Sequence, residues 1–462
     1  MVDNMAQTKS IAEKTIDIAT IVKKINQAQP YHIRGRVIEC TGLVIRALVP
    51  GVRIGELCFI SSYDSSIDPI KAEVVGFREG SVFLMPLGEL NGIGPDSAVH
   101  PSGQSFSIRC GYSLLGRVLN GCGEAMDAGS ALSELSDLEE WAVDREAPNP
   151  YTRQPVDQVI SLGVRAIDSL LTVGRGQRVG LFAGSGVGKS VLMGQIARNT
   201  SAEIVVVCLV GERGREVLDF IHESLGQEGM KRTVVVAATS NAPSLVRTKS
   251  CFVATAIAEW FRDQGHDVLF MMDSATRFAR AQREIGLAIG EPPARQGYPP
   301  SVFAQIPRLM ERTGNNQHGS ITAIYTVLVQ ASDMDEPIAD EVRGILDGHF
   351  ILNRSLGERN HWPAIDVLPS LSRVMNNIVG TDHKQAAQKL RSVLAIYEKN
   401  RDLIILGAYK RGSDTRVDYA IEKITHIESF LKQEIFEKTH FDQTIQRLIA
   451  LFDDRKSMRD IQ

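Results

Sequence analysis

Residues 183–190, AGSGVGKS, are the feature that most restricts what this chain can fold into. The apolar run before them, Arg178–Ala183, predicts a strand, and residues 189–198 after them predict a helix. Glycines let backbone N–H groups turn inward around phosphate oxygens, and the following helix N-terminus favours negative charge. The sequence therefore predicts a phosphate-binding loop between a buried strand and a helix, and with it an α/β fold.

Individual residues of this loop have different expected roles. Lys189 is expected to reach the β- and γ-phosphates of a nucleotide, and the Ser190 hydroxyl to ligate Mg²⁺. Ala183 stands where the usual pattern has its first Gly, and its methyl group is small enough to be tolerated. We therefore expect ATP and Mg²⁺ as cofactors. The residues expected to bind the nucleotide are Gly184, Ser185, Gly186, Val187, Gly188, Lys189 and Ser190.

Two acidic residues follow other predicted strands. The apolar run 268–273 ends in Asp273, and the run 204–210 is followed by the charged stretch GERGRE, which contains Glu212 and Arg213. Ligands of open α/β sheets bind where the strands end, so Asp273 suits Mg²⁺ and Glu212 suits the orientation of an attacking water. Arg213 could neutralise phosphate charge. The alternative is a solvated surface loop whose charges pair with one another.

The remaining chain divides by its patterns into four parts. Residues 29–100 contain short β-rich runs punctuated by Gly and Pro, which predict a small β-barrel. Strands then alternate with helices, so we expect a nucleotide-binding domain over 101–380, with a crossover segment at 101–155. Residues 381–462 are predicted to form a helical domain. Residues 1–28 have the spacing of an amphipathic helix, either packed on its own protein or docked on a partner.

Composition limits the compartment and the partners. Lys and Arg number 51 against 55 Asp and Glu, which gives no overall affinity for polyanions, so no nucleic-acid partner is expected. Six cysteines without C-x-x-C spacing indicate a reducing compartment, and the N-terminus lacks the apolar core of a signal peptide. The apolar run IVVVCLV is far too short to span a membrane. We expect a cytoplasmic protein whose membrane association is peripheral.

Residues 363–372, PAIDVLPSLS, together with Arg373, resemble the signature of the ATP synthase α/β family. The resemblance implies a RecA-like ATPase core with an N-terminal β-barrel and a C-terminal helical domain. It also implies that Arg373 acts as an arginine finger in a neighbouring subunit's site. Trp362 stands where the family has an aromatic that stacks on adenine, and Phe441 is a second possible wall by a looser match.

Within this family the chain is most similar to the ATPases of flagellar protein export, with the ATPases of injectisome type III secretion as the near alternative. The resemblance spans residues 30–440. It implies a homohexamer that contacts a central stalk and a membrane export gate at the inner face of the cytoplasmic membrane. It further implies chaperone–substrate complexes as partners, a regulatory stator protein bound by 1–28, and hydrolysis coupled to chaperone release, unfolding and export. The stretches that carry the resemblance include LFAGSGVGKSVLMG, VGERGREV, PRLMERTG and ADEVRGILDGH.

Three other functions are compatible with the same core. The catalytic subunit of an ion-translocating ATP synthase carries an acidic stretch where this chain has GAYKRGSD at 407–414. A non-catalytic nucleotide-binding scaffold is disfavoured by Glu212, and an RNA-translocating hexamer by the scarcity of aromatic residues in 30–100. The Pro- and Gly-rich residues 290–300 predict a projecting loop, which the resemblance assigns to the central pore.

Overall fold

The computed structural model describes residues 34–64, 66–329 and 334–453. It has the predicted fold class: a β-barrel, then an α/β domain built on one large sheet, then a set of helices. The predicted docking helix in 1–28 lies outside the described residues. None of the helices in the described part combines the length and hydropathy that a membrane span needs.

The barrel, as described, closes from six antiparallel strands in the order β1-β2-β5-β4-β3-β6, with β6 paired to β1. Alternate residues point inward, so that β3 buries Glu56, Cys58 and Ile60 and half-exposes the residues between them. The interior is aliphatic, with Ile45, Ile60 and Leu84 fully buried. The strands are β1 Gly35–Thr41, β2 Val44–Leu48, β3 Glu56–Ile60, β4 Ile70–Arg78, β5 Ser81–Pro86 and β6 Ala98–Ser105.

The segment predicted as a crossover contains strands of its own. β7 Ser107–Cys110 pairs with β9 Glu139–Ala142 as a separate ribbon. Between them, β8 Val118–Asn120 adds a parallel strand to one edge of the large sheet. Its three residues are too few to give a hydrophobic pattern in the sequence, because pairing with an existing strand is what makes them extended.

The large sheet has nine strands among the described residues, in the order β19-β18-β12-β17-β15-β13-β14-β8, with β16 paired to β17. All neighbours are parallel except β18 with β19 and β16 with β17. The carboxyl ends of the parallel strands therefore all lie along the same edge of the sheet. The strands beyond β9 are β10 Val159–Ile160, β11 Val173–Gly174, β12 Arg178–Ala183, β13 Ile204–Glu212, β14 Thr233–Thr239, β15 Asp267–Asp273, β16 Gly314–Asn315, β17 Ser320–Leu328, β18 Gly348–Leu352 and β19 Ile365–Ser372.

Two apolar layers cover the two faces of this sheet. Alternate residues of β13 show the division: Val206 and Cys208 belong to one buried cluster, and Val205 and Val207 belong to the other. This explains why β13 reads as an unbroken apolar run, since both of its faces are buried. The helices of this domain are α1 Arg165–Leu170, α2 Lys189–Asn199, α3 Gly214–Asp219, α4 Gly226–Met230, α5 Ser244–Asp263, α6 Ala275–Ala288, α7 Pro300–Met310, α8 Pro337–Ile345, α9 Arg354–Glu358 and α10 Met375–Ile378.

The last part of the described chain is helical, as predicted. Its helices are α11 Thr381–Ile405, α12 Thr415–Leu431 and α13 Phe441–Ala450. Leu390, Ile427 and Leu448 join the same buried cluster as β12 and the phosphate-loop helix α2. The C-terminal helices therefore pack on the face of the sheet that carries α2.

Candidate nucleotide site

The loop between β12 and α2 forms the floor of a cleft of about 880 Å³. Gly186 and Gly188 have φ of 75° and 81°, which a residue with a side chain rarely adopts, so the glycines at these two places are required by the backbone. Residues from the ends of β13, β17 and β18 and from helix α6 surround the loop. The cleft is lined by Gly184, Ser185, Gly186, Val187, Gly188, Lys189, Ser190, Val191, Glu212, Arg213, Glu216, Arg277, Arg280, Leu328, Val329, Leu352 and Arg354.

Lys189 is held between two carboxylates. Its Nζ pairs with Oδ1 of Asp273 and lies 3.8 Å from Oε1 of Glu212. Asp273 also accepts a hydrogen bond of 2.7 Å from the Thr326 hydroxyl on the adjacent strand β17. The strand order brings these side chains together, because β12, β17, β15 and β13 are successive neighbours in the sheet and their carboxyl ends lie at the same edge. The predicted lysine, aspartate and glutamate are thus in one cluster.

Glu212 is almost fully buried, with 6% of its surface exposed. Burial is the largest cause that raises its pKa to about 7, and the neighbouring carboxyl of Glu216 adds to the rise. Arg277 on α6 pairs with Oε1 of Glu212 and opposes that shift. Oε2 has no hydrogen-bond partner among the described residues. A carboxyl that titrates near neutral pH and keeps one oxygen free is suited to accept a proton from water.

The residues present fit a magnesium nucleotide. Ser190 is exposed in the cleft, and the Asp273 carboxylate pairs with Lys189, the residue before it in the chain. No group of three or more His, Cys, Asp or Glu side chains able to hold a metal occurs among the described residues. Mg²⁺ commonly takes only one or two protein ligands and completes its shell with phosphate oxygens and water. Ser190 and Asp273 would therefore hold the ion together with the nucleotide.

Three arginines of the cleft were missed by the sequence analysis. Arg277 pairs with Glu212, Arg354 donates a 3.0 Å hydrogen bond to the Ser185 carbonyl, and Arg280 lines the same cleft. The strand-end rule that found Asp273 could have found two of them. Arg354 comes two residues after β18 ends, and Arg277 lies in the first turn of the helix that follows β15. Together they make the cleft strongly cationic.

Arg213 lies at the rim of the cleft. Its side chain is 76% exposed, and its guanidinium is 3.8 Å from the Glu216 carboxylate. It is therefore near the site but lacks the fixed position that Lys189 has.

Trp362 packs directly on the phosphate loop. A Cβ added to Gly188 would lie 2.7 Å from the Trp362 ring, so the indole covers this glycine. Trp362 as a whole remains 38% exposed. A flat apolar surface thus adjoins the loop, where a base attached to a loop-bound phosphate chain could stack on it.

Phe441 is not where the sequence analysis expected it. Its ring centroid lies 6.0 Å from that of His383 at the start of α11, and it lines a separate groove with Val159 and Ile449. The reason is the chain reversal between α12 and α13, which carries the start of α13 past the nucleotide cleft. Gln433, earlier in that connection, is the residue beside Trp362, because its N–H donates a 2.9 Å hydrogen bond to the Trp362 carbonyl. The prediction of Phe441 as a second wall is therefore wrong.

Arg373 lies far from the phosphate loop of its own chain. It follows β19, which is antiparallel to β18, and Ser372 pairs with Gly348 at the start of β18. The loop adjoins the other end of that strand, since Leu352 pairs with Ala183. Four residues of extended chain, about 13 Å, separate the two ends. Arg373 is exposed, and no ion pair or hydrogen bond of its side chain is found among the described residues.

Comparison with family models accounts for most of the chain. Residues 37–103 match the beta-barrel domain of the ATP synthase alpha/beta family, and 163–372 match its nucleotide-binding domain. Residues 379–450 match the C-terminal domain of the type III secretion ATPase EscN. The last match covers the helical domain and is to a type III secretion ATPase.

Relatives of two kinds are similar to it over nearly its whole length. The flagellum-specific ATP synthase of Bacillus subtilis (strain 168) is 50% identical, over 94% of this chain and 98% of the relative. The type 3 secretion system ATPase of Xanthomonas euvesicatoria is 48% identical, over 91% and 94%. The structure of assembled EscN from enteropathogenic E. coli superimposes with a TM-score of 0.85 at 45% identity, covering 90% of this chain and 99% of that one.

The phosphate loop, the clustered Lys189, Glu212 and Asp273, and these similarities lead to one conclusion. The chain belongs to the ATP synthase α/β family, and within it to the ATPases of flagellar and type III protein export.

Proposed function

We propose that this ATPase works as a homohexamer whose nucleotide sites are each shared by two neighbouring subunits, and that it powers the export of flagellar proteins. One subunit supplies the phosphate loop, Glu212 and Asp273, and its neighbour supplies Arg373. The single observation that carries the shared site is the position of Arg373. This guanidinium is exposed and about 13 Å of strand away from its own loop, which supports a role at another chain's nucleotide.

Each residue has a distinct part in hydrolysis. Lys189 neutralises the β- and γ-phosphates, and Glu212 polarises the attacking water through its free oxygen. Mg²⁺, held by Ser190 and Asp273, would neutralise charge on the phosphate oxygens. Arg373 from the neighbour stabilises charge on the transferred phosphoryl group. Arg277 pairs with the other oxygen of Glu212 and so holds the carboxylate in place.

The further partners follow from similarity. EscN has been solved as an assembled ATPase and in complex with its central stalk EscO, and the second structure matches this chain with a TM-score of 0.83. We propose a homologous stalk for this protein. The end of α11 offers it apolar side chains, with Leu403, Ile405 and Leu406 from 50% to 78% exposed. We also propose a stator protein bound by residues 1–28, and an export gate and chaperone–cargo complexes at the inner membrane face. Hydrolysis there would release and unfold the cargo.

Injectisome secretion is the second candidate. It is favoured by the match of 379–450 to the EscN C-terminal domain and by 48% identity to a type 3 secretion relative. We prefer the flagellum because a flagellar relative reaches 50% identity over a larger share of the chain. Deletion of the gene in its own host distinguishes the two: loss of motility and filament supports the flagellar role, and motile cells that no longer secrete effectors support the injectisome.

Subunit mixing tests the shared site. Glu212→Gln and Arg373→Ala homohexamers should each be inactive, since every site lacks one residue. If the two variants are mixed at equal amounts and reassembled, about one site in four should combine an intact Glu212 with an intact Arg373. We therefore expect ATPase activity to recover to about a quarter of the unmodified level.

Two controls make this result decisive. Glu212→Gln mixed with Lys189→Ala must stay inactive, because both residues belong to the same subunit's half of the site. Specific activity should also rise with protein concentration through the assembly range. Activity that fails to recover in the first mixture, or that is independent of concentration, would contradict a site built from two subunits.

A further inference from the structure

The connection between α12 and α13 belongs to the nucleotide-binding domain by its contacts, although it joins two helices of the C-terminal domain. We call residues 433–437 the wall segment. The hydrogen bonds of this segment to other parts of the chain, which are given below, are made with α2, with the start of α1 and with Trp362. The segment is therefore fixed to the nucleotide-binding domain.

Gln433 is the anchor on one side of the wall segment. Its side-chain oxygen accepts a 2.8 Å hydrogen bond from the Arg165 N–H, and its side-chain nitrogen donates to the Gly163 carbonyl at 2.9 Å and to the Glu437 carbonyl at 3.0 Å. Its own N–H donates to the Trp362 carbonyl at 2.9 Å. Only 5% of Gln433 is exposed. A buried amide with all these bonds made fixes geometry strongly, because losing it leaves several groups without partners.

The helix that begins at the phosphate loop is the anchor on the other side. Three side chains near the end of α2 donate to carbonyls of the wall segment: Gln195 to Glu434 at 3.4 Å, Arg198 to Ile435 at 2.8 Å and Asn199 to Glu437 at 3.3 Å. The Arg198 guanidinium also lies 4.9 Å above the Phe436 ring. One rigid helix thus carries the phosphate loop at its first turn and the wall segment at its last.

We infer that Gln433 is a positioning residue of the ATPase reaction: it sets the distance between the wall segment and Trp362, and so the width of the base-binding side of the site. This inference rests on the proposed nucleotide site, in which Trp362 stacks on the base. The wall segment adjoins Trp362 through Gln433, and two of its apolar side chains are exposed, with Ile435 44% and Phe436 73% exposed. Gln433 does not touch the phosphates, so its loss should weaken base recognition and leave the phosphate chemistry intact.

The test compares ATP with a ligand that has no base. In assembled full-length Gln433→Ala, we expect the half-saturating ATP concentration to rise about tenfold, with kcat changed by less than about twofold. Competitive inhibition by inorganic tripolyphosphate should be unchanged, because tripolyphosphate uses only the loop and the cations around it. A general loosening of the fold would weaken both ligands equally, and that result would overturn the inference.

Two further variants keep the test valid if Gln433→Ala misfolds. Gln195→Met keeps the volume and removes one donor to the wall segment, and it should raise the half-saturating ATP concentration about threefold with the same indifference to tripolyphosphate. Thr444→Ala is the matched control, since Thr444 is 1% exposed on α13 and its hydroxyl has no hydrogen-bond partner among the described residues. Its ATP dependence should equal that of the unmodified protein. An unchanged ATP dependence in Gln195→Met and Gln433→Ala overturns the inference.

The Trp362→Ala variant shows whether a negative result concerns Gln433 alone or the proposed position of the base. If Trp362→Ala raises the half-saturating ATP concentration but the two glutamine variants do not, the base side is correctly located and Gln433 has no positioning role. If Trp362→Ala itself has no effect, the proposed base side is wrong and the inference falls with it.

Discussion

Charged side chains are buried and paired at one end of the large sheet and exposed at the other. At the end where the parallel strands finish, Lys189, Glu212 and Asp273 are mostly buried and paired with one another. At the other end, Arg373 is exposed and makes no pair among the described residues. Buried charges must be compensated within the chain, whereas an exposed guanidinium is stable in water and available to a partner. We propose that the first end is one half of the nucleotide site and that the second end completes the site of a neighbouring subunit.

The largest effect is expected from a substitution at the exposed end of the sheet. Arg373→Ala should lower kcat about 10³-fold, because a guanidinium that stabilises transition-state charge contributes 10³–10⁵ in other nucleotide hydrolases. Steady-state ATPase assays of the assembled variant measure this, with ATP binding retained. Arg416→Ala is a matched control, since Arg416 has a side chain that is 76% exposed on α12. Equal losses in the two variants would contradict a specific role for Arg373.

Glu212→Gln tests the buried end. The amide keeps the size of the side chain but cannot take a proton from water, so kcat should fall about 10²–10⁴-fold. Binding of ATP should persist, which quenching of tryptophan fluorescence can follow. Unchanged turnover would remove Glu212 from the reaction and leave it as a partner of Arg277 and Lys189 only.

Trp362→Ala tests the apolar side of the same half-site. Stacking of an aromatic on a base contributes about 1–3 kcal/mol, so the half-saturating ATP concentration should rise tenfold or more. Trp362→Phe should recover most of the affinity, because it restores an aromatic face. If the Ala and Phe variants are equal, stacking is not the source of the contact.

The pH dependence should show the smallest effect. Burial raises the pKa of Glu212 to about 7, and only the carboxylate form can act as a base. Hydrolysis should therefore fall as the pH drops through about 7. Because the Glu216 carboxyl contributes to the rise, Glu216→Ala should move the acid limb of the rate profile to lower pH. A shift toward higher pH, or no acid limb at all, would contradict this assignment.

Sequence reasoning succeeded where a local pattern has one structural outcome. The loop 183–190 was recognisable because glycines, a strand and a helix must occur together to hold phosphate. Asp273 and Glu212 could be predicted to lie near this loop, because parallel strands that carry a site end at one edge of their sheet. Their proximity to Lys189 in the structure agrees with that reasoning, while their roles in hydrolysis stay predictions.

Prediction from the sequence failed where a side chain's position depends on the path of the segment that connects two helices or strands. Phe441 was placed beside Trp362 by a loose match, but the connection between α12 and α13 brings Gln433 there instead. The short strand β8 was missed because three residues carry no periodicity.

The sequence by itself determined the fold class, the family and the chemistry of the phosphate loop, because these depend on local backbone requirements and on long, specific motifs. Only the tertiary structure decided which arginines face the cleft, which way Arg373 projects, and how Gln433 anchors the wall segment. Those properties depend on strand order and on contacts between residues as far apart as Gly163 and Gln433, and a linear pattern does not encode such distances.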